Sequence, residues 1–421
     1  MIGMDFGLCV GEKRGFGRVV NVKQALTPFF MKKITTTVLS QLKQLMPMNE
    51  FSSFVGQHKA DKYVKHFTTE NQLSVLLYAQ ATGKDSLREI ETGLRVQGHT
   101  WYHLGITNVA RNTLANANKK RPSDIFESMF YSLLEKCHSL TFGTAFSFRN
   151  DLYAMDASTV NLCLNLFPWA RFQKEKGAFK LHTIFNVKSQ IPEIVIVTDG
   201  KGGDITVAKD KVDFSKFPKG SIFVFDRAYI DYAFLYSLKK AGHHFVVRTK
   251  TNTNIFPLRQ SRKPIGAGVI SDERMAFALE EAQEHYPDDI RLVTYYDEET
   301  KKTYEFLTDE FRLSALNIAA IYKSRWQVEL FFKWIKQHLK IKTFLGTSKN
   351  AVMIQVWVAM IYYLVLAFIK HQTKFDGSLF KLSIIVSEAI LMKVHLIDLL
   401  SLTPKSLPRL MARGHPQLKL L

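Results

Sequence analysis

Three carboxylates carry the chemistry that this sequence could perform: Asp156, Asp226 and Glu329. Asp156 ends the apolar run 152–155, and Asp226 ends the run 221–225. A carboxylate leaving the end of a strand enters the crevice beside the sheet, where α/β proteins bind ligands. One such Asp means little, but two on neighbouring strands make a hard-oxygen site suited to Mg2+. Glu329 is the only acid between Phe311 and Asn350, a stretch with eight Lys and Arg. On a helix, Tyr322, Arg325, Glu329 and Lys336 fall within about 60° of one another and form one polar stripe. Val328, Phe331, Ile335 and Leu339 form a separate apolar stripe that can pack on a sheet. Such a set suits in-line phosphoryl displacement. Two ions about 3.5–4 Å apart, Mg2+ or Mn2+ in its place, would stabilise the attacking and leaving oxygens and activate water. Arg325 and Lys336 would hold phosphates, with Lys333 beside them. Taken alone, Glu329 could instead be an intrahelical ion pair with Arg325 or Lys333.

The elements that must position these residues follow from periodicity. Residues 34–149 read as helices, with runs at 38–45, 72–82, 86–96 and 124–139. Ser86 with Glu89, and Asp124 with Glu127, have capping-box spacing. From 150 the pattern changes to strands at 152–155, 180–187, 194–198, 221–225 and 245–249, with helices at 204–213 and 231–240. The first three strands are close enough to be antiparallel neighbours, whereas the later ones need helical crossovers and so run parallel. That order is the ribonuclease H-like arrangement, an α/β fold with a mixed five-stranded sheet. A β-rich insertion at 251–311, with strands at 255–258, 291–296 and 303–307, interrupts it. One long helix at 314–340, an apolar helix at 351–369 and a helical tail follow. The expected division is 1–33, an over-extended reading frame or a disordered arm; 34–149, a helical DNA-binding domain; 150–250 and 312–370, the two parts of the catalytic core; 251–311, the insertion; and 371–421, the tail.

The 421 residues carry 57 Lys and Arg against 38 Asp and Glu, a net +19. With ordinary hydrophobic and charged fractions, this excludes wholesale disorder and points to a polyanion. Residues 31–121 carry 13 Lys and Arg and six acids, which suits a helical domain gripping DNA or a solvated cap. Residues 232–271, including Arg248 and Lys250, carry seven bases and no acid and could line a DNA channel. Residues 272–310 carry 13 acids and four bases and read as a solvated face. The three cysteines form no CxxC, so a zinc ribbon or disulfide framework is not expected, and a reducing cytoplasm fits. Residues 1–30 have no apolar core like that of a secretory signal. The 351–369 helix meets the length rule for a membrane span, but a buried core helix is the favoured reading and no membrane partner is expected.

The motifs YAMDAST around Asp156, VFDRAY around Asp226 and IYKSRWQVELFFKWIK around Glu329 resemble a known family. The last contains the pattern Y-x2-R-x3-E-x6-K. By these motifs the chain resembles bacterial insertion-sequence DDE transposases of the insertion-sequence-four group, over about residues 34–370. The resemblance implies an enzyme that binds double-stranded DNA at the inverted-repeat ends of its own element. It implies metal-dependent strand cleavage and strand transfer into target DNA by a homodimer. Asp156, Asp226 and Glu329 would hold two ions, while Tyr322, Arg325 and Lys336 would contact DNA. Relatives that pass through a hairpin use a Trp in the insertion to stabilise a flipped base, yet none of Trp101, Trp169, Trp326, Trp334 and Trp357 lies in 251–311. Phe256, Tyr295, Tyr296 or Tyr304 could substitute, with Trp326 and Trp334 read as packing residues. A catalytically silent DNA-binding protein descended from a transposase is the other reading.

Overall fold

The first strand already shows how the core is divided. Leu152 and Ala154 point to one side of the sheet and Tyr153 and Met155 to the other, as the two-residue period of a strand requires. In the computed structural model, the described residues are 36–106, 109–138, 148–173, 176–200, 203–249, 253–258, 266–338 and 344–401. The expectations for 1–33, for Lys250 and for Leu339 lie outside them, as do the last 20 residues of the tail.

The strands are β1 (Leu152–Leu162), β2 (Arg171–Gln173), β3 (Lys176–Asn186), β4 (Ile191–Asp199), β5 (Ile222–Phe225), β6 (His244–Arg248), β7 (Ile255–Pro257), β8 (Val269–Phe277), β9 (Ile290–Asp297) and β10 (Lys302–Thr308). They form one ten-stranded mixed sheet in the order β2-β3-β1-β5-β6-β10-β9-β8-β7, with β4 also paired to β3. β3 is antiparallel to β1 and β4, whereas β1, β5 and β6 are mutually parallel. The parallel pairs need crossovers, which the helices Asp204–Lys211 and Tyr232–Lys240 supply. Asp231 caps the second by accepting from the Phe234 N–H, and Gly242 ends the turn at φ +85°, a conformation with no steric cost for glycine.

The segment expected to interrupt the sheet instead extends it. β10 pairs antiparallel with β6, and β9, β8 and β7 follow outward. β8 was not among the expected strands, because its centre reads Asp272-Glu273-Arg274. The acidic face is also less solvated than its composition suggests. Asp272, Asp309 and Glu310 are buried. Asp272 is paired with Arg291, while His244 contacts both Asp309 and Glu310.

Helices cover both faces. Ala208, Phe234, Leu235 and Leu238 pack on Met155, Phe223, Phe225 and Val247. Val328, Phe331 and Ile335 cover the opposite face with the Lys349–Thr373 helix. That helix has a window of mean hydropathy 2.3, but 89% of the window is buried inside the protein. It lies against the helices Thr69–Thr82 and Asp124–His138, so its all-round apolar surface is that of a central core helix. Asn350, in its first turn, fixes the N-terminal helices to it. Its Nδ2 donates to the carbonyls of Asn118 and Arg121 at 2.9 and 2.7 Å, and its Oδ1 accepts from the Ser123 N–H.

The expected helix 314–340 is two helices, Ala315–Ser324 and Trp326–His338, meeting at Arg325. There the ladder tightens to i→i−3 bonds, from Arg325 N–H to Tyr322 O and from Val328 N–H to Arg325 O. The Ser324 hydroxyl bonds the Ile321 carbonyl, the local competition by which serine bends helices.

Candidate active site

Strand register assembles the site. The parallel pairing of β1 with β5 ends at Met155 and Phe225, and that of β5 with β6 ends at Phe225 and Val247. The next residues along the three chains are Asp156, Asp226 and Arg248, each one position past the last residue of the parallel pairing. Ala154 and Val224 belong to the core face covered by the Glu329 helix. Two residues further along β1, Asp156 lies toward that same face, whereas Asp226 has already left β5.

Asp156 was expected at a strand exit, and here the structure differs. β1 continues to Leu162 because β3 pairs with it along that whole length, with Asp156 opposite Thr183. β5 does end at Phe225, so the stop of the central strand, not that of β1, opens the crevice beside Asp156. Asp226 then caps a short 3-10 turn, its Oδ1 accepting the Arg227 N–H at 2.8 Å.

Glu329 comes over this rung on the helix Trp326–His338, which packs on β1. The link between them is Arg325. Its Nη1 donates to Asp156 Oδ2 at 2.9 Å, and its Nη2 donates to Glu329 Oε1. The intrahelical Arg325–Glu329 pair therefore exists, but the same guanidinium also binds the strand carboxylate. Burial pushes the Asp156 carboxyl up to about 6, against the pull of Arg325, and the nearby charges of Glu329 and Asp226 act in the same direction as burial.

A cleft of about 490 Å³ opens at this point, lined by Asp156, Ser158, Glu329, Phe332, Lys333 and Lys336. Lys333 and Lys336 are exposed on its wall. Ser158 and Phe332 were not foreseen. Ser158 is two residues beyond Asp156 and would have followed from the strand period had β1 been extended past the carboxylate. Of the other members of the stripe, Lys336 lines this cleft, while Tyr322 lies beside Arg325, its ring 5.9 Å from the guanidinium. Tyr322 packs its ring on Phe306 at 4.7 Å, and burial raises its hydroxyl pKa. Phe306 is opposite Arg248, whose guanidinium lies 5.0 Å from the Tyr304 ring. Tyr322 and Arg248 thus sit on the β10 side of the rung, and the two lysines sit in the cleft on the β1 side.

Of the two tryptophans on the Glu329 helix, Trp334 is 8% exposed and packs beside Tyr363. Trp326 is 58% exposed, so the packing role expected of it does not hold. It faces solvent because it lies on the helix side away from Val328, Phe331 and Ile335. In the extension, Phe256 and Tyr296 are exposed, whereas Tyr295 and Tyr304 pack partly against the core.

Comparison with known proteins fits this geometry. Residues 147–365, which include all three carboxylates, match the Transposase DDE domain, and residues 35–107 match a domain of unknown function. A Sinorhizobium fredii protein assigned as the transposase y4zB is 32% identical over 60% of this chain and 69% of its own. The protein assigned as the transposase of insertion sequence element IS5377 of Geobacillus stearothermophilus is 28% identical over 74% of this chain and 87% of its own. That assigned to element IS4SA of Synechocystis is 27% identical over 67% and 75%. With the DDE model matching more than half its length, the chain belongs to the DDE transposases of bacterial insertion sequences.

Proposed function

We propose that this transposase binds the inverted-repeat ends of its own element and cuts and rejoins DNA at Asp156, Asp226 and Glu329. The observation that carries this reading is that Asp156 and Asp226 directly follow the last residues paired between β1 and β5, Met155 and Phe225, while Arg325 joins Asp156 to Glu329 on the helix above. The strand order β4-β3-β1-β5-β6, with β1, β5 and β6 parallel, supports a ribonuclease H-like core of five strands, to which β7–β10 are added.

The donor set suits hard divalent cations, since it consists of carboxylate oxygens. Two of the three carboxylates already converge on one positive charge, that of Arg325. Among the described residues, no three acidic, His or Cys side chains are gathered closely enough to hold an ion as they stand. Asp156, Asp226 and Glu329 would therefore hold Mg2+, or Mn2+, after a local rearrangement. When bound, two ions would activate the attacking water or 3′-hydroxyl and stabilise the leaving oxygen.

The chain's own residues do the rest. Lys333 and Lys336 bind the backbone of the strand lying in the cleft. Arg248 and Tyr322 hold the neighbouring nucleotides on the β10 side. The basic N-terminal helices hold the inverted repeats. A homodimer acting on a pair of ends in the cytoplasm completes this reading, with exposed Phe256 and Tyr296 as candidate stacking residues for a hairpin step.

The test is the Asp226→Asn variant on DNA carrying the ends of the element, with Mg2+ present. Strand cleavage is expected to be lost while end binding persists. Cleavage at the wild-type rate would overturn the assignment of the carboxylates.

A further inference from the structure

We propose that Arg325 closes the carboxylate site of the DNA-free protein, and that its release by a DNA phosphate is what admits the divalent cation. The inference rests on the reading of Asp156, Asp226 and Glu329 as the cation's ligands.

The two carboxylates held by Arg325 belong to different elements, β1 and the helix Trp326–His338. Its guanidinium therefore fills the space between strand and helix that an ion touching both Asp156 and Glu329 must enter. Nη1 is bound to the one and Nη2 to the other, and Nε has no partner among the described residues. A cation cannot take both carboxylates while this group stays, since the two positive charges would compete for the same oxygens at contact distance. Losing a proton cannot free the site either, because arginine stays charged in proteins.

An anion can free it. Lys333 and Lys336 stand exposed on the wall of the same cleft, with no ion pair among the described residues, and would draw a phosphate backbone toward Arg325. A phosphate accepts the guanidinium fork as a carboxylate does. Once Arg325 turns to it, Asp156 and Glu329 face each other without a counter-charge, and a divalent cation relieves that repulsion. Cation affinity without DNA is then lowered by the fraction of molecules in which the clamp is shut. DNA and cation binding must strengthen each other by the same factor.

The experiment measures Mn2+ binding to the DNA-free full-length protein by calorimetry, for wild type, R325Q, R325K, K336Q and D156N. Circular dichroism checks that each variant is folded. R325Q is expected to bind Mn2+ at least about fivefold more tightly than wild type, the low end of ordinary coupling between sites. R325K keeps the charge but lacks the fork and is expected to fall between the two. K336Q removes a nearby charge that does not touch the carboxylates, so its gain should be smaller than that of R325Q. Equal or weaker binding by R325Q, with D156N still losing the ion, would overturn the clamp and leave the cation site standing. A gain in K336Q as large as that in R325Q would reduce the effect to general charge and would also overturn the clamp. Absence of Mn2+ binding in wild type and R325Q alike, with and without DNA, would overturn the cation site and the clamp together. If R325Q fails to fold, the comparison of R325K with wild type decides.

Discussion

Arg291 on β9 and Asp272 on β8 form a two-pronged ion pair inside the sheet extension, with Nε to Oδ1 at 2.7 Å and Nη2 to Oδ2 at 2.8 Å. Arg291 is 1% exposed, and its remaining Nη1 donates to the carbonyls of Glu310 and Leu313. The pair thus ties the extension to the chain entering the helix Ala315–Ser324, which leads to Arg325 and Glu329. Arg291→Met leaves Asp272 buried without a partner and is expected to cost about 3–5 kcal/mol in chemical denaturation. Replacing Asp272 by Leu as well should restore much of the loss, because no uncompensated charge then remains. Wild-type stability in the single variant would show that the pair contributes nothing.

His244 links stability to pH. Its Nδ1 lies 3.0 Å from Asp309 and its Nε2 3.2 Å from Glu310, beside the exposed Arg312. The hydrogen bond to Asp309 raises its pKa against the effect of burial. A raised folded pKa means that the protonated ring contributes its full stabilisation below the unfolded value of about 6.5. That contribution is lost as pH rises through the folded value. Unfolding free energy should therefore decline above about pH 6.5 by a component absent from His244→Gln. Parallel pH profiles for the two proteins would contradict this.

Under the proposed function Lys333 and Lys336 bind the DNA backbone, and such contacts release counterions. Changing either to Gln should lower affinity for all sequences alike and reduce the slope of log K against log salt by about 0.9 each. A slope unchanged in both variants would remove these lysines from the DNA path.

Local patterns in the chain were enough to reveal the family and to single out the candidate carboxylates. The two strand-associated Asp residues, the single Glu in a basic helix and the pattern Y-x2-R-x3-E-x6-K were legible because helix and strand periods are local properties of the chain. The antiparallel pairing of β3 with β1 and the parallel placing of β5 and β6 were legible for a related reason, since the loop lengths allow either a hairpin or a crossover and rarely both, whereas the short β2 was missed. The remaining features depend on partners distant in sequence. β3 keeps β1 going past Asp156, so the carboxylate stands within a strand and Ser158 joins the cleft. β10 pairs with β6, so the segment expected to interrupt the sheet enlarges it, and Asp272 is buried by Arg291 across a register that composition does not encode. Trp326 and Trp334 have the same side chain on the same helix, yet only Trp334 meets Tyr363 on the core helix. Arg325 shows the difference most clearly. The spacing placed it one turn from Glu329, but its bond to Asp156 exists only because the helix crosses the sheet at the rung where β5 ends.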